Sequence, residues 1–220
     1  MNILKPLSAN GWLPKIYLLG STIYKNQLDY ENALDLGYKA LKIYQQNEDK
    51  NQEAMVYTML GGIYYDLGNY ENSREYFEES FELYKKLENQ SQIAANRHNI
   101  GEILLIQQKY PEALALFKLA IPQFLSTGNL NNLGYVYNSI GKIYLAFHEY
   151  DSVQWYLDKS YSIARSLNRP RLLSAIANSK GEYFLSLAKS DSALRYFKIA
   201  LLASSEAERF INQRDALYGL

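Results

Sequence analysis

A chain of 220 residues with 48% hydrophobic and 21% charged side chains has the composition of a folded protein. Its 23 basic and 23 acidic residues cancel, so no long-range field draws it to nucleic acid or to an anionic membrane. The lack of cysteine excludes disulfides and thiolate metal sites, and no apolar run approaches the roughly 20 residues that span a bilayer.

Two histidines, His98 and His148, are too few for an evident metal cluster, and no cofactor is expected. The opening MNILKPLSANGW lacks a charged segment followed by a long apolar one. Nothing in these residues exports the chain, which makes the cytoplasm the default expectation.

One interval runs through the sequence. Gly61, Gly101, Gly141 and Gly181 are each 40 residues apart, as are Ile23, Ile63, Ile103 and Ile143, and Tyr30, Tyr70, Tyr110 and Tyr150. A fixed period of this size marks a repeat array, in which each unit packs only on its neighbours. Within each interval two apolar-periodic segments with helical spacing are separated by a short polar break. The pattern predicts paired helices over 14–26 with 29–46, 50–67 with 70–87, 91–108 with 110–126, 130–147 with 150–167, and 171–187 with 190–204. The repeats are therefore placed at 10–49, 50–89, 90–129, 130–169 and 170–205, in a single array.

The breaks carry turn chemistry, such as Gly68-Asn69, and Pro111 stands at a helix start where its missing N–H is not needed. Pro122, inside a second helix, is expected to kink or shorten it. Residues 206–220 read as one further unpaired helix whose apolar stripe, Phe210, Ile211, Ala216, Leu217 and Leu220, invites pairing with a second copy.

The glycine column is costly, since glycine inside a helix loses about 1 kcal/mol against alanine. Close approach of two helices is the compensation expected. Ala33, Ser73, Ala113 and Ala193 are the small partner surface, with Val153 the larger exception.

The skeleton of Tyr57, Leu60, Gly61, Tyr64, Ser73, Phe77 and Ser80 resembles the tetratricopeptide repeat, and so does that of Ile100, Gly101, Ala113, Phe117 and Ala120. Tyr137, Ile140, Gly141 and Tyr144 match a third copy. Arg97 at an aromatic position, Val153 at a small one, Tyr183-Phe184 for Ile-Tyr and Ser21 for the first glycine depart from the pattern. The 40-residue period exceeds the usual 34 and is similar to the subgroup of kinesin light chains, Leu-Gly-Asn repeat scaffolds and bacterial Rap and PlcR-like regulators.

That resemblance implies an all-α right-handed superhelix, an α-solenoid of helix-turn-helix repeats, whose inner groove binds peptides or proteins. By the family's geometry the groove is lined by Met55, Thr58, Met59 and Tyr65, then His98, Asn99, Glu102 and Leu105. After them come Tyr135, Asn138, Ser139 and Lys142, then Asn178, Ser179 and Glu182. Amides both donate and accept, so Asn99, Asn138 and Asn178 would hydrogen-bond an extended peptide, with Glu102, Lys142 and Glu182 alternating in sign. The competing account is a solvated polar face. A clamp for terminal carboxylates is disfavoured, because Lys142 is the one basic residue in the central groove.

Ten of the 21 tyrosines fall in three repeat columns and are expected to be packing residues; Tyr65 and Tyr135 fall outside them. His98 and Glu102 lie one helical turn apart, but no nucleophile, metal set or phosphate loop accompanies them, so an enzyme is not expected. The resulting expectation is a binding module, the sensory or scaffold segment of a larger bacterial protein of histidine-kinase or transcription-regulator type. The alternative is a free scaffold that forms a homodimer through its C-terminal helix.

Overall fold

The structure is a computed structural model that describes residues 9–217, with side chains from Gly11 to Arg209. Among the described residues it holds ten helices and no strand. They are α1 (Ala9–Asn26), α2 (Tyr30–Gln46), α3 (Lys50–Asp66), α4 (Tyr70–Lys86), α5 (Gln90–Ile106), α6 (Tyr110–Ser126), α7 (Leu130–Ala146), α8 (Tyr150–Ser166), α9 (Pro170–Ser186) and α10 (Ser190–Leu217).

Every connection is three residues long, and its middle residue has a left-handed φ. Only two of these residues are glycine, Gly68 (φ 74°) and Gly128 (φ 66°); Leu28, Glu48, Glu88, Gln108, His148, Asn168 and Ala188 adopt the same conformation. The turn geometry explains the requirement. Glu48 N donates to Gln45 O and Asp49 N to Tyr44 O, the paired bonds that close a helix through a left-handed residue. The third residue then caps the next helix: Asp29, Asp49, Asn69 and Asn129 each accept from the N–H three positions on.

The chain divides into two compact units, Met1–Ile103 and Leu104–Leu220. In the first, α1–α2 and α3–α4 are hairpins and α5 follows. Its core forms where α2 meets α3, at Ala40, Leu41, Tyr44, Val56 and Leu60, and where Ala54, Tyr84 and Ile93 join α3, α4 and α5. In the second unit the hairpins are α7–α8 and α9–α10. Val153, Leu157 and Tyr183 bury one side of the α8–α9 junction; Ala164, Leu172 and Ile176 bury another.

Several expectations are corrected. The first helix starts at Ala9 and carries Pro14 inside it. Pro122 does not shorten α6, which has the same 17 residues as its neighbours. Helix α10 runs unbroken for 28 residues, so Glu206 begins no separate helix; the side chains of the proposed stripe from Phe210 onward lie outside the described residues. The glycines meet the residue sixteen positions on. A Cβ at Gly61 would lie 2.8 Å from Phe77, and one at Gly141 2.7 Å from Leu157. The large side chain of the second helix therefore fills the space on the Cβ side of the glycine, while the small residue at position twelve lies against the glycine's backbone as expected, Ser73 Oγ reaching Gly61 O at 2.8 Å.

The column tyrosines are half-buried rather than central, and Tyr24 is exposed. Tyr64 stacks on Tyr76 at 5.4 Å and Tyr144 on Tyr156 at 5.4 Å, so these rings seal the flank of each hairpin while aliphatic residues fill the middle.

Candidate functional site

In the first unit, α1, α3, α4 and α5 line a half-open cavity of about 410 Å³. It is lined by Lys25, Thr58, Gly62, Tyr65, Asp66, Phe77, His98, Asn99 and Glu102. Tyr65, His98, Asn99, Glu102 and Thr58 are five of the groove positions expected from sequence, and they converge here. Phe77 gives an apolar floor, and the Lys25 ammonium lies over the backbone of Gly62.

Burial pushes the Tyr65 phenol up to about 12, and the nearby Glu102 carboxylate adds to the shift. Its ring meets Tyr70 edge-on at 5.7 Å, which fixes it between α3 and α4. His98 Nε2 lies 3.6 Å from Glu102 Oε1, both side chains being mostly covered. Beneath them, Thr58 Oγ1 meets Ser80 Oγ at 2.7 Å, and Asn96 Nδ2 donates to the same Ser80 oxygen at 3.0 Å. This buried polar chain ties α3, α4 and α5 together under the site.

Sequence reasoning missed Lys25, Gly62 and Asp66. Lys25 occupies the register of Tyr65 one interval earlier, so the rule that found Tyr65 finds it too when carried back to the first hairpin. Asp66 carries no such signal. Its carboxylate sits 3.1 Å from Lys25 Nζ, an ion pair across the rim. A Cβ at Gly62 would lie 3.2 Å from that same Nζ.

The remaining predicted residues are dispersed. Met55 is exposed, whereas Met59 packs into the α2–α3 core. In the second unit Tyr135 lines a separate concavity of about 540 Å³ with Asn131, Asn168, Arg169, Pro170, Arg171, Leu172 and Ala207. Burial raises its phenol, and Arg171 and Arg169 act in the opposite direction. Asn138 and the adjacent Ser139 are buried, Lys142 is half-buried, Asn178 and Glu182 are exposed, and Ser179 is buried. The amides Asn99, Asn138 and Asn178 thus differ in access. A shared sequence phase does not set burial, which depends on the neighbouring helix.

Among the described residues no group of three or more His, Cys, Asp or Glu is placed to hold a metal ion. No described helix is long and apolar enough to cross a membrane.

A family model described as "Tetratricopeptide repeat" matches residues 13–86 and 92–166. No curated protein sequence matches the chain. Among solved structures, the Rap conjugation gene regulator of the plasmid pLS20 in complex with the Phr* peptide is similar at TM-score 0.78 and 15% identity, over 93% of this chain and 57% of that one. BtubC from P. vanneervenii is similar at TM-score 0.72 and 18% identity, over 90% and 82%. Aspartyl phosphate phosphatase F from Bacillus subtilis is similar at TM-score 0.70 and 17% identity, over 87% and 59%. At these identities the likeness is one of fold.

Proposed function

Because this chain belongs to the tetratricopeptide-repeat family, we propose that it is a peptide- or protein-binding module whose recognition cavity is the one built around Tyr65, His98, Asn99 and Glu102. The observation that carries the reading is convergence: positions on α3 and α5, chosen by repeat phase, line a single cavity with an apolar floor. A peptide side chain would settle against Phe77, beside the Lys25 ammonium. The Asn99 amide offers a donor and an acceptor to peptide backbone, and the carboxylates of Glu102 and Asp66 with the Lys25 ammonium set a charge preference at the rim. The ligand-bound Rap regulator supports a peptide as ligand class.

In this reading the chain is the sensory or scaffold part of a bacterial signalling or regulatory protein, of histidine-kinase or transcription-regulator type. Its residues supply binding rather than chemistry. Tyr135, Asn138, Lys142, Asn178, Glu182 and Met55 are candidates for a second contact; Met59 packs into the α2–α3 core.

Selection of a random peptide library on the immobilised chain tests the site. Enriched peptides are expected to lose tenfold or more in affinity on Tyr65→Ala and on Asn99→Ala, and to bind the variant of an exposed α6 residue, Lys118→Ala, unchanged, with helical circular dichroism preserved in all three. Peptides that bind both cavity variants as tightly as the parent would remove the cavity from the mechanism.

A further inference from the structure

The cavity of the second unit lies where α7 meets α9, neither of them the first or last described helix. Leu172 and Ala207, both buried, supply its apolar part, and the half-buried Tyr135 adds a ring. Its charge has one sign. Among the described residues the lining includes the guanidiniums of Arg169 and Arg171 and no carboxylate.

Both arginines break the chain's own pattern. At the register of Arg169 the earlier first helices have Asp49, Asn89 and Asn129, and each of these accepts from the N–H three positions on. Arg169 makes no such bond. At the register of Arg171 stand the uncharged Asn51, Ser91 and Asn131. The first turn of α9 holds no acidic residue, so two cations lie near the positive end of the helix dipole, an unfavourable placement. Lys50, at the start of α3, is by contrast paired with Glu53. Among the described residues neither Arg169 nor Arg171 is in an ion pair, although Glu208 borders the adjacent hollow with Arg171. The two charges also act inward: burial raises the Tyr135 phenol, and Arg171 and then Arg169 pull it back.

We propose that this cavity is a second recognition site, for a peptide segment that presents a carboxylate. The two guanidinium forks take the carboxylate oxygens, and the bound anion offsets the unfavourable placement of the cations. The apolar lining receives the methylenes of the ligand, and the Asn131 amide on the α7 wall offers a donor and an acceptor to peptide backbone. Arg169 and Arg171 lie outside the phases that select groove residues, which is why groove positions taken alone argue against such a ligand. Two sources present the same pair of oxygens, an acidic side chain and a chain terminus. The site shares no residue with the first-unit cavity and stands whether or not that cavity binds peptide.

Capture of the labelled 220-residue chain on pools of immobilised hexapeptides tests this. The pools are random apart from a central Glu-Glu, Gln-Gln or phosphoserine-Gly pair, and each is made with a free and with an amidated C-terminus. A side-chain source is expected to favour Glu-Glu over Gln-Gln by about tenfold at either terminus, the size of a charged hydrogen-bonded pair. A terminal source is expected to favour the free acid over the amide by a similar factor. Arg169→Gln with Arg171→Gln should abolish the preference, and Tyr65→Ala, in the other cavity, should retain it. Both arginines are exposed, so helical circular dichroism should be unchanged; Arg171→Lys, which keeps the charge and loses the fork, should bind in between. A parent chain indifferent to both carboxylate sources, a preference that survives the double variant or is lost in Tyr65→Ala, or capture confined to the phosphoserine pools would each overturn the proposal.

Discussion

Ser73, on the second helix of its hairpin, donates its hydroxyl to the carbonyl of Gly61 on the first, at 2.8 Å. Ser21 makes the reverse bond in the hairpin before, donating from the first helix to Ala33 O at 2.7 Å. A second crossing repeats the device: Ser80 donates to Ala54 O at 2.8 Å and Ser160 to Gly134 O at 2.6 Å, whereas Ser174 donates from the opposite side to Ala200 O at 2.9 Å. The small residues thus bring one backbone within reach of a hydroxyl on the other. Either helix can supply it.

This packing sets opposite outcomes for two adjacent glycines. Gly61→Ala places a methyl 2.8 Å from the Phe77 ring, and is expected to cost about 1–3 kcal/mol through overpacking even after the helix-propensity gain. Gly62→Ala meets only the end of the Lys25 side chain, and is expected to stabilise by up to about 1 kcal/mol. Urea midpoints of the two variants give the sign. Equal shifts in one direction would contradict the assignment of close contact to Gly61.

The turns offer a stabilising change. Glu48 holds φ 57°, a conformation that costs an L-residue roughly 1–2 kcal/mol and glycine almost nothing. Glu48→Gly should raise the thermal midpoint, offset in part by the greater freedom of glycine in the unfolded chain. Gly68→Ala, at φ 74°, should lower it. Calorimetry that finds both changes neutral would show that the turn conformation carries no strain.

Lys180 occupies the register of Leu60, Ile100 and Ile140 and is buried. Its ammonium is ion-paired with Asp158 and lies over the rings of Tyr161 and Tyr196, at 5.5 and 5.0 Å. Asp158→Ala strips that partner and should cost about 1–3 kcal/mol. Lys180→Leu should be neutral or stabilising, because it removes the need to desolvate the charge. Denaturant unfolding of both variants decides; a Lys180→Leu protein less stable than Asp158→Ala would refute the account.

Tyr65 links the cavity to alkaline pH. Its phenol is raised to about 12 in the fold, against about 10 in an unfolded chain. Below pH 10 both states keep the proton, and the stability is fully present. Between pH 10 and 12 only the unfolded chain releases it, so stability falls as pH rises. Tyr57, Tyr84 and Tyr137 are shifted the same way by burial. Tyr65→Phe should therefore lose less thermal stability between pH 9 and pH 11 than the parent. An identical loss in the two proteins would show that this phenol is not held neutral.

Much of the fold was legible because the 40-residue recurrence of Gly61, Tyr64, Tyr70 and Ser73 constrains a helix and its neighbours together. The helix bounds from α2 to α9 fall within two residues of those read from periodicity. The left-handed turn residues were not legible beyond Gly68 and Gly128, since Glu48 and His148 carry no local mark of that conformation. Nor was the length of α10, whose polar Ser204-Ser205 reads as a stop yet sits within a continuous helix.

Residue periodicity by itself determined where each helix lies and which way it faces, because a helix returns to the same side every few residues whatever surrounds it. Tertiary structure alone decided that Asn138 is enclosed while Asn178 is open, that Lys25 and Asp66 join Tyr65 and His98 at one cavity, and that Arg169 and Arg171 join Tyr135 at another. Access to a side chain is a property of the neighbouring helix, and no single segment encodes its neighbour.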